Sequence, residues 1–406
     1  MSSMPDVRFL DRTTPPHILT LILLTGLGAL SMNIFLPSLP NMALYFDADY
    51  RLMQLSVALY LGVNAVVQIF IGPISDRFGR RPVLLWGVFL FILATIGCLF
   101  AQTVEVFLVF RMCQAVVIVG LVLGRAVVRD MVPQDEAASM IGYVTMGMAV
   151  VPMVGPAIGG LLDQAFGWQS NFVVLALAGI GVFYLIWRDL GETAPKSSSS
   201  FSAQFAEYPE LLGSRRFWGY CLSAAFASGA FFAYLGGAPY VGSEVFGLSP
   251  AVLGFLFGAP AIGYFFGNFI SGRYSVRYGI NLMIVWGAGV SAIGVITSLI
   301  FFYLGFDTPL VFFGFMTFVG FGNGMILPNA TSGMLSVRPH LAGTASGLGG
   351  SIMIGGGAAL SALAGVLLVP GRGAFPLIWI MAITSVLGVL AILYTIRRER
   401  QVRGQD

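Results

Sequence analysis

Long apolar runs alternate along this chain with short polar breaks. Twelve runs of roughly 20–25 residues can be marked, each long enough to cross a hydrocarbon core as a helix. They fall near 17–39, 51–73, 82–101, 104–127, 137–162 and 168–188, then 217–241, 250–272, 280–303, 309–331, 341–368 and 373–396. Breaks such as Gln102–Val104 and Asp163–Gly167 are so short that neighbouring helices must run antiparallel. The stretch 189–216 differs. With Pro195, Lys196, the serine run Ser197–Ser200, Pro209 and several acids, it reads as a linker, part flexible and part amphipathic.

The pattern predicts an all-α integral membrane protein of twelve transmembrane helices. A six-helix bundle spans 1–188, the linker 189–216 and a second bundle 217–406. The halves echo each other at an offset of about 200 residues. Leu84-Leu-Trp86-Gly87 recurs as Ile284-Val-Trp286-Gly287, and Gly72…Arg77…Gly79 as Gly272…Arg277…Gly279. Leu36-Pro37 closes the first run as Ala238-Pro239 closes the seventh. Internal symmetry of this kind marks transporters.

Composition narrows the class. The chain is 57% apolar and 10% charged, where soluble domains carry about 25% charged residues. A β-barrel would show short alternating segments instead. All but four of the 21 basic residues fall in breaks on one face. Arg51 and Arg372 lie on the other face, and Arg111 and Arg125 lie within the fourth run. This asymmetry makes the basic face cytoplasmic and puts both termini there, in the inner (plasma) membrane. Scatter over so many breaks argues against a nucleic-acid stripe. Cys98, Cys113 and Cys221 all sit in apolar runs and read as small core residues with no disulfide framework. The first run reads as an uncleaved helix, not a signal peptide. No nucleotide-binding loop, metal cluster or nucleophile–base set points to an enzyme or an ATP-driven pump, and a receptor would need a large ligand domain.

Four charges crowd the break Gly72-Pro-Ile-Ser-Asp76-Arg77-Phe-Gly79-Arg80-Arg81-Pro82, which reads as a tight turn at the cytoplasmic face. Its spacing resembles the loop 2–3 signature of the major facilitator superfamily of transporters, matching at Gly72, Asp76, Arg77, Gly79, Arg80 and Arg81. The resemblance implies two pseudo-symmetric six-helix bundles that alternate access. It also implies a conformational latch in which Asp76 and Arg80 meet Asp130, with Arg129 beside it, when the cytoplasmic side closes. Asp76 capping a helix of the other half is an alternative, as is a loop whose charges only set topology. The fifth run carries Gly147, Pro152, Gly155, Pro156, Gly159 and Gly160; Gly155 and Gly159 at i, i+4 give a small-residue packing face, and Pro152 and Pro156 bend the helix. This resembles the helix 5 signature of the drug-antiporter branch.

Arg111-x-x-Gln114 resembles the superfamily's helix 4 motif, with Ala115 where a glycine is usual. Taken with Met32-Asn33-Ile-Phe-Leu-Pro37 and His340-Leu-Ala-Gly-Thr-Ala-Ser346, it resembles the bicyclomycin/chloramphenicol-resistance (Bcr/CflA) family of multidrug efflux antiporters. That likeness implies a monomer exporting small drug-like or amphipathic molecules, a xenobiotic transport that confers antibiotic resistance. A proton gradient drives it, and no cofactor is needed. Helices 1, 4, 7 and 10 line the cavity in this fold. The candidate pathway is then Asn33, Phe35, Arg111, Gln114, Phe231, Tyr234, Asn323 and Asn329, with lipid-facing bulk the plainer reading of the aromatics. Arg111 either receives an acceptor-rich part of the cargo or binds carbonyls of a neighbouring helix. His17 and His340 read as interfacial. One departure stands out. The family commonly carries an Asp where this chain has Asn33, and all 18 acids fall in breaks or at helix ends. The lost acid favours a second reading, a metabolite uptake porter or uncoupled facilitator.

Overall fold

A computed structural model describes residues 7–131, 144, 151–193, 208–338 and 342–403. Gly147 and His340 lie outside them, as do the side chains of Asp76, Arg129 and Pro152. Helices α1 (Ile18–Asn33) and α2 (Leu39–Tyr45) make the first crossing, joined through a 3-10 turn at Leu36–Ser38. Pro37 and Pro40 break it there, because each removes a backbone donor. Then come α3 (Tyr50–Phe78), α4 (Arg80–Leu99), α5 (Val104–Gln114) and, after a 3-10 turn at Ala115–Val117, α6 (Ile118–Met131). The fifth expected run supplies α7 (Val151–Phe166) and the sixth α8 (Gln169–Asp189). A short helix, α9 (Tyr208–Leu212), precedes α10 (Arg215–Tyr240), which ends in a π-turn at Val241–Val245. The chain closes with α11 (Pro250–Phe257), α12 (Ala259–Tyr278), α13 (Ile280–Tyr303), α14 (Pro309–Val337), α15 (Ala342–Leu367) and α16 (Phe375–Arg403).

Local chemistry starts these helices. Thr103, Ser214, Ser249 and Thr308 each accept a hydrogen bond from the backbone N–H three residues on, filling one of the donors a helix start leaves open. Pro250 and Pro309 occupy first-turn positions that need no donor. The second crossing is longer than its apolar run. α3 continues to Phe78, so Gly72–Phe78 is helical and the reversal falls on Gly79 alone, at φ +94. Charged residues can stay helical once clear of lipid, and only glycine adopts that backbone without strain. The same device recurs at Gly279, φ +83, between α12 and α13. Ser75 and Ser275, 200 residues apart in sequence, each bond back to a carbonyl of their own helix.

Eleven crossings among the described residues are long and apolar enough to span a bilayer. Trp86, Leu90, Leu177, Phe269, Ile293 and Val366 turn outward and stay exposed, as they would toward lipid. The protein is a multi-pass, all-α membrane protein. α10 packs on α14, α15 and α16, α13 on α14 and α16, and α4 on α5 and α8, while α1 rests on α6, α7 and α8. Two seams join elements of different sequence halves, α3 with α15 and α7 with α11. Cys98 and Cys221 are buried as expected. Cys113 is not a core residue: it lies exposed on α5, around the helix from the packed face that carries Phe107, Arg111 and Gln114.

Candidate functional site

At the signature loop, Arg80 Nε lies 3.2 Å from Asp130 Oδ2 on α6, and its Nη1 donates to Ser75 Oγ. The backbone N–H groups of Arg80 and Arg81 open α4, where the helix dipole favours an anion. The anion is Glu192, which accepts from them at 2.8 and 3.3 Å. A side chain at Gly79 would run into the same carboxylate. Arg81 donates to the carbonyls of Leu190 (2.9 Å) and Trp187 (3.1 Å), and Thr193 Oγ1 donates to Asp130 Oδ2 at 3.4 Å. The start of the linker is thus docked on the loop, a partner that sequence spacing could not reveal. Arg77 stays exposed beside the Phe78 ring, and Gly72 has open space around it. Glu192→Gln is expected to weaken this dock by about 0.5–1 kcal/mol, the usual worth of an exposed anion at a helix start. Limited proteolysis within 194–207 should then run several-fold faster, and unchanged cleavage would refute the docking.

Arg111 is fully buried. Its guanidinium lies between two rings, 4.4 Å from the Phe35 centroid and 3.9 Å from that of Tyr60, a geometry suited to cation–π attraction. Its donors reach Gln114 Oε1 (2.7 Å), the Ser31 carbonyl (3.0 Å) and hydroxyl (3.2 Å), and the Ser56 carbonyl (3.3 Å). Gln114 passes the chain on to Thr95 Oγ1 at 2.8 Å. Three expected pathway residues, Phe35, Arg111 and Gln114, therefore meet in one polar knot that ties α1, α3 and α4 to α5. Tyr60, Ser31, Ser56 and Thr95 complete it, none of them marked by the sequence pattern.

The remaining candidates sit apart. Asn33 donates to the carbonyl of Ala29 in its own helix at 2.7 Å, and its Oδ1 is buried without a partner. Tyr234 is buried and donates to the Phe257 carbonyl at 3.0 Å. Phe231 stacks toward it at 6.4 Å. Asn329 Nδ2 bonds to Ser271 Oγ and the Met325 carbonyl, both at 2.7 Å, while Asn323 Oδ1 is buried and unpartnered. An apolar groove of about 580 Å³ between α1, α7 and α8 contains none of these residues.

Three acids at helix ends prove to be buried: Asp163, Asp189 and Glu399. Asp189 accepts from the N–H groups of Leu10 (2.7 Å) and His17 (2.9 Å) and from the Thr20 hydroxyl (2.6 Å), fastening α8 to the start of α1. His17 caps that helix, its Nδ1 accepting from Leu19 N–H. Glu399 pairs with Arg216 at 2.8 Å and accepts from Asn281, which receives the Tyr220 hydroxyl. α16 is fastened to α10 and α13 in the same manner.

The α7–α11 seam lies toward the face opposite the arginine-rich loops, while the α3–α15 seam begins there at Gln54 and runs past mid-helix to Gln68 beside Gly350. On α7, a side chain at Gly159 would enter the Ile34 carbonyl, and one at Gly160 the Pro250 carbonyl of α11. Reciprocally, Gly254 of α11 lies against the Pro156 carbonyl. Gly155 is looser, with Leu30 at 3.7 Å from where a Cβ would sit. On α3, Gln54 Nε2 donates to the Ser361 carbonyl of α15 at 2.9 Å and fits a slot left by Gly236 and Gly365, while the Tyr50 hydroxyl donates to the Gly236 carbonyl at 3.1 Å.

The Major Facilitator Superfamily family model matches residues 21–362. The chain is 29% identical to multidrug resistance protein D of Escherichia coli, over 93% of this chain and 94% of that protein. It is 30% identical to a chloramphenicol resistance protein of Pseudomonas aeruginosa, over 93% and 90% respectively. Among solved structures, a peptide transporter crystallised with sulfate matches with a TM-score of 0.77 over 94% of each chain, at 13% identity; this likeness concerns the fold alone.

Proposed function

The chain belongs to the Major Facilitator Superfamily, and from that membership we propose that it exports small drug-like or amphipathic molecules by alternating access, driven by proton antiport. The observation that carries the reading is the pair of seams between sequence halves. Glycine-to-carbonyl packing closes the α7–α11 seam, and neutral side chains, Gln54, Gln68 and Tyr50, set against glycines close the other; no ion pair crosses either seam among the described residues. Contacts of that kind close tightly yet part without stripping a charge of its partner, as a two-state transporter requires. The halves 1–188 and 217–406 act as the moving bundles, linked by 189–216. Both termini face the cytoplasm at the inner membrane, and the working unit is a monomer. The names of the multidrug and chloramphenicol resistance relatives support drug-like cargo.

In this reading the loop charges latch the cytoplasmic face. Arg80 and Asp130 form a first-half brace on which Asp76, Arg77, Arg81 and Arg129 act. The cavity between the bundles is lined from Asn33, Phe231, Tyr234, Asn323 and Asn329, with the Arg111 knot as its rigid wall. A second reading, uptake or uncoupled facilitation, is favoured by Asn33, an amide that cannot titrate, and by the neutral acceptors around Arg111. Purified protein in vesicles decides between them. Export predicts uptake of a drug-like compound into inverted vesicles that rises at least several-fold with an imposed pH gradient. Flux down a gradient that ignores ΔpH establishes the facilitator, and no flux across a broad compound panel refutes both.

A further inference from the structure

We propose that Asp163 binds a proton from the face opposite the arginine-rich loops, and that this proton holds the α7–α11 seam closed. The inference rests on the alternating-access reading but concerns a different group from any in the pathway. Asp163 is 6% exposed and one turn beyond Gly160, the residue that meets Pro250 of α11, beside the Leu36–Ser38 turn that packs on both α7 and α11. Asn41 Nδ2 donates to its Oδ2 at 2.9 Å, and the Ser38 hydroxyl faces the carboxyl. Asn171 pins that hydroxyl, donating to Ser38 Oγ at 3.0 Å and to the Gly159 carbonyl at 3.3 Å. The site is thus built from neutral donors around one carboxyl.

Among the described residues no cation answers the charge. The Leu36–Ser38 turn, α1 and α11 contain no titratable residue, and Asp163 is the only one on α7. α2 offers only Tyr45, whose ring packs on Trp168. α8 carries Tyr184, Arg188 and Asp189 at its far end. α12, which also touches α7, has Tyr264, Arg273, Tyr274, Arg277 and Tyr278. A carboxyl enclosed in this way favours its neutral form, and one reached by water favours the anion. Parting α7 from α11 opens the junction on one side. Protonation therefore stabilises the closed seam, and ionisation stabilises the open one. The sign follows: raising pH on that face opens it, with the opening constant growing by about tenfold per pH unit between the open-state and closed-state pKa values. The carboxyl senses pH from that face without carrying protons across.

The experiment uses the full-length protein in liposomes, with exposed Cys113 replaced and spin labels on Gln102→Cys and Leu304→Cys. The distance distribution between labels is read by pulsed electron resonance across pH 4–9. The wild type should shift from a short to a long distance as pH rises. Asp163→Asn, a stand-in for the protonated form, should stay short at every pH yet still respond to substrate. Asn41→Ala removes a donor to the anion and should move the midpoint to higher pH, which a merely structural contact would not do. If Asp163→Asn keeps the wild-type pH profile, or the wild type ignores pH while responding to substrate, the proposal fails and alternating access stands. Distances that change with neither pH nor substrate overturn both.

Discussion

Arg111→Ala is expected to cost about 3–5 kcal/mol of stability, the largest effect of any single substitution here. It empties a fully buried volume between two rings, leaves the Ser31 carbonyl and the Gln114 amide oxygen without their side-chain donor, and returns the Ser56 carbonyl to its helical partner alone. Each acceptor so stranded, where no water competes, costs about 1–3 kcal/mol before relaxation. The expected signature is an early denaturation midpoint in detergent. Arg111→Lys should fall between, since an ammonium keeps the charge but cannot fork to α1 and α3 at once or stack flat on both rings. A ligand-free Arg111→Ala protein that denatures like the wild type, but binds cargo poorly, would show that the guanidinium serves the substrate and not the scaffold.

That knot also shows which parts of the molecule could be read from sequence. Helix existence was legible because apolar run length is a local property, and so was a reversal somewhere in Gly72–Pro82, marked by crowded charge and glycine, though not that α3 would run on to Phe78 and turn at Gly79 alone. The Arg111–Gln114 pair was visible at i, i+3 spacing on one helix. Its other partners were not: Ser31 and Ser56 are ordinary small residues of two other crossings, and Ser56 wholly and Ser31 in part enter through backbone carbonyls that carry no sequence signal. Glu192 was hidden for a related reason. It lies in a stretch whose composition reads as linker, yet it caps a helix that begins 112 residues earlier. Asp163 looked like a loop acid because an amide 122 residues away decides its surroundings. The apolar run 104–127 likewise gave no hint that Cys113 would face outward, since which side of a helix is covered depends on neighbours.

Gly160→Ala tests the seam from which the transport reading starts, and Gly155→Ala is its control. Both add one methyl to α7, at Gly155 on the side facing α1 and at Gly160 on the side facing α11, and both gain about 1 kcal/mol of intrinsic helix preference. They differ in what the methyl meets. At Gly155 it finds Leu30 at 3.7 Å, an ordinary contact, whereas at Gly160 it enters the Pro250 carbonyl of α11. A backbone oxygen cannot rotate aside as a side chain can. The two helices must separate, which also loosens the reciprocal Gly254–Pro156 contact. Overpacking of about 1–3 kcal/mol that acts only on the closed seam shifts its equilibrium roughly 5–150-fold toward the open form. Gly160→Ala protein should therefore remain folded while a cysteine placed near Ser249 becomes far more accessible to an aqueous thiol reagent, and turnover should fall by at least tenfold. Gly155→Ala should leave both readings near wild type. Equal behaviour of the two alanines would mean that the α7–α11 contact does not move during transport, and the closed seam would then be scaffold instead of gate.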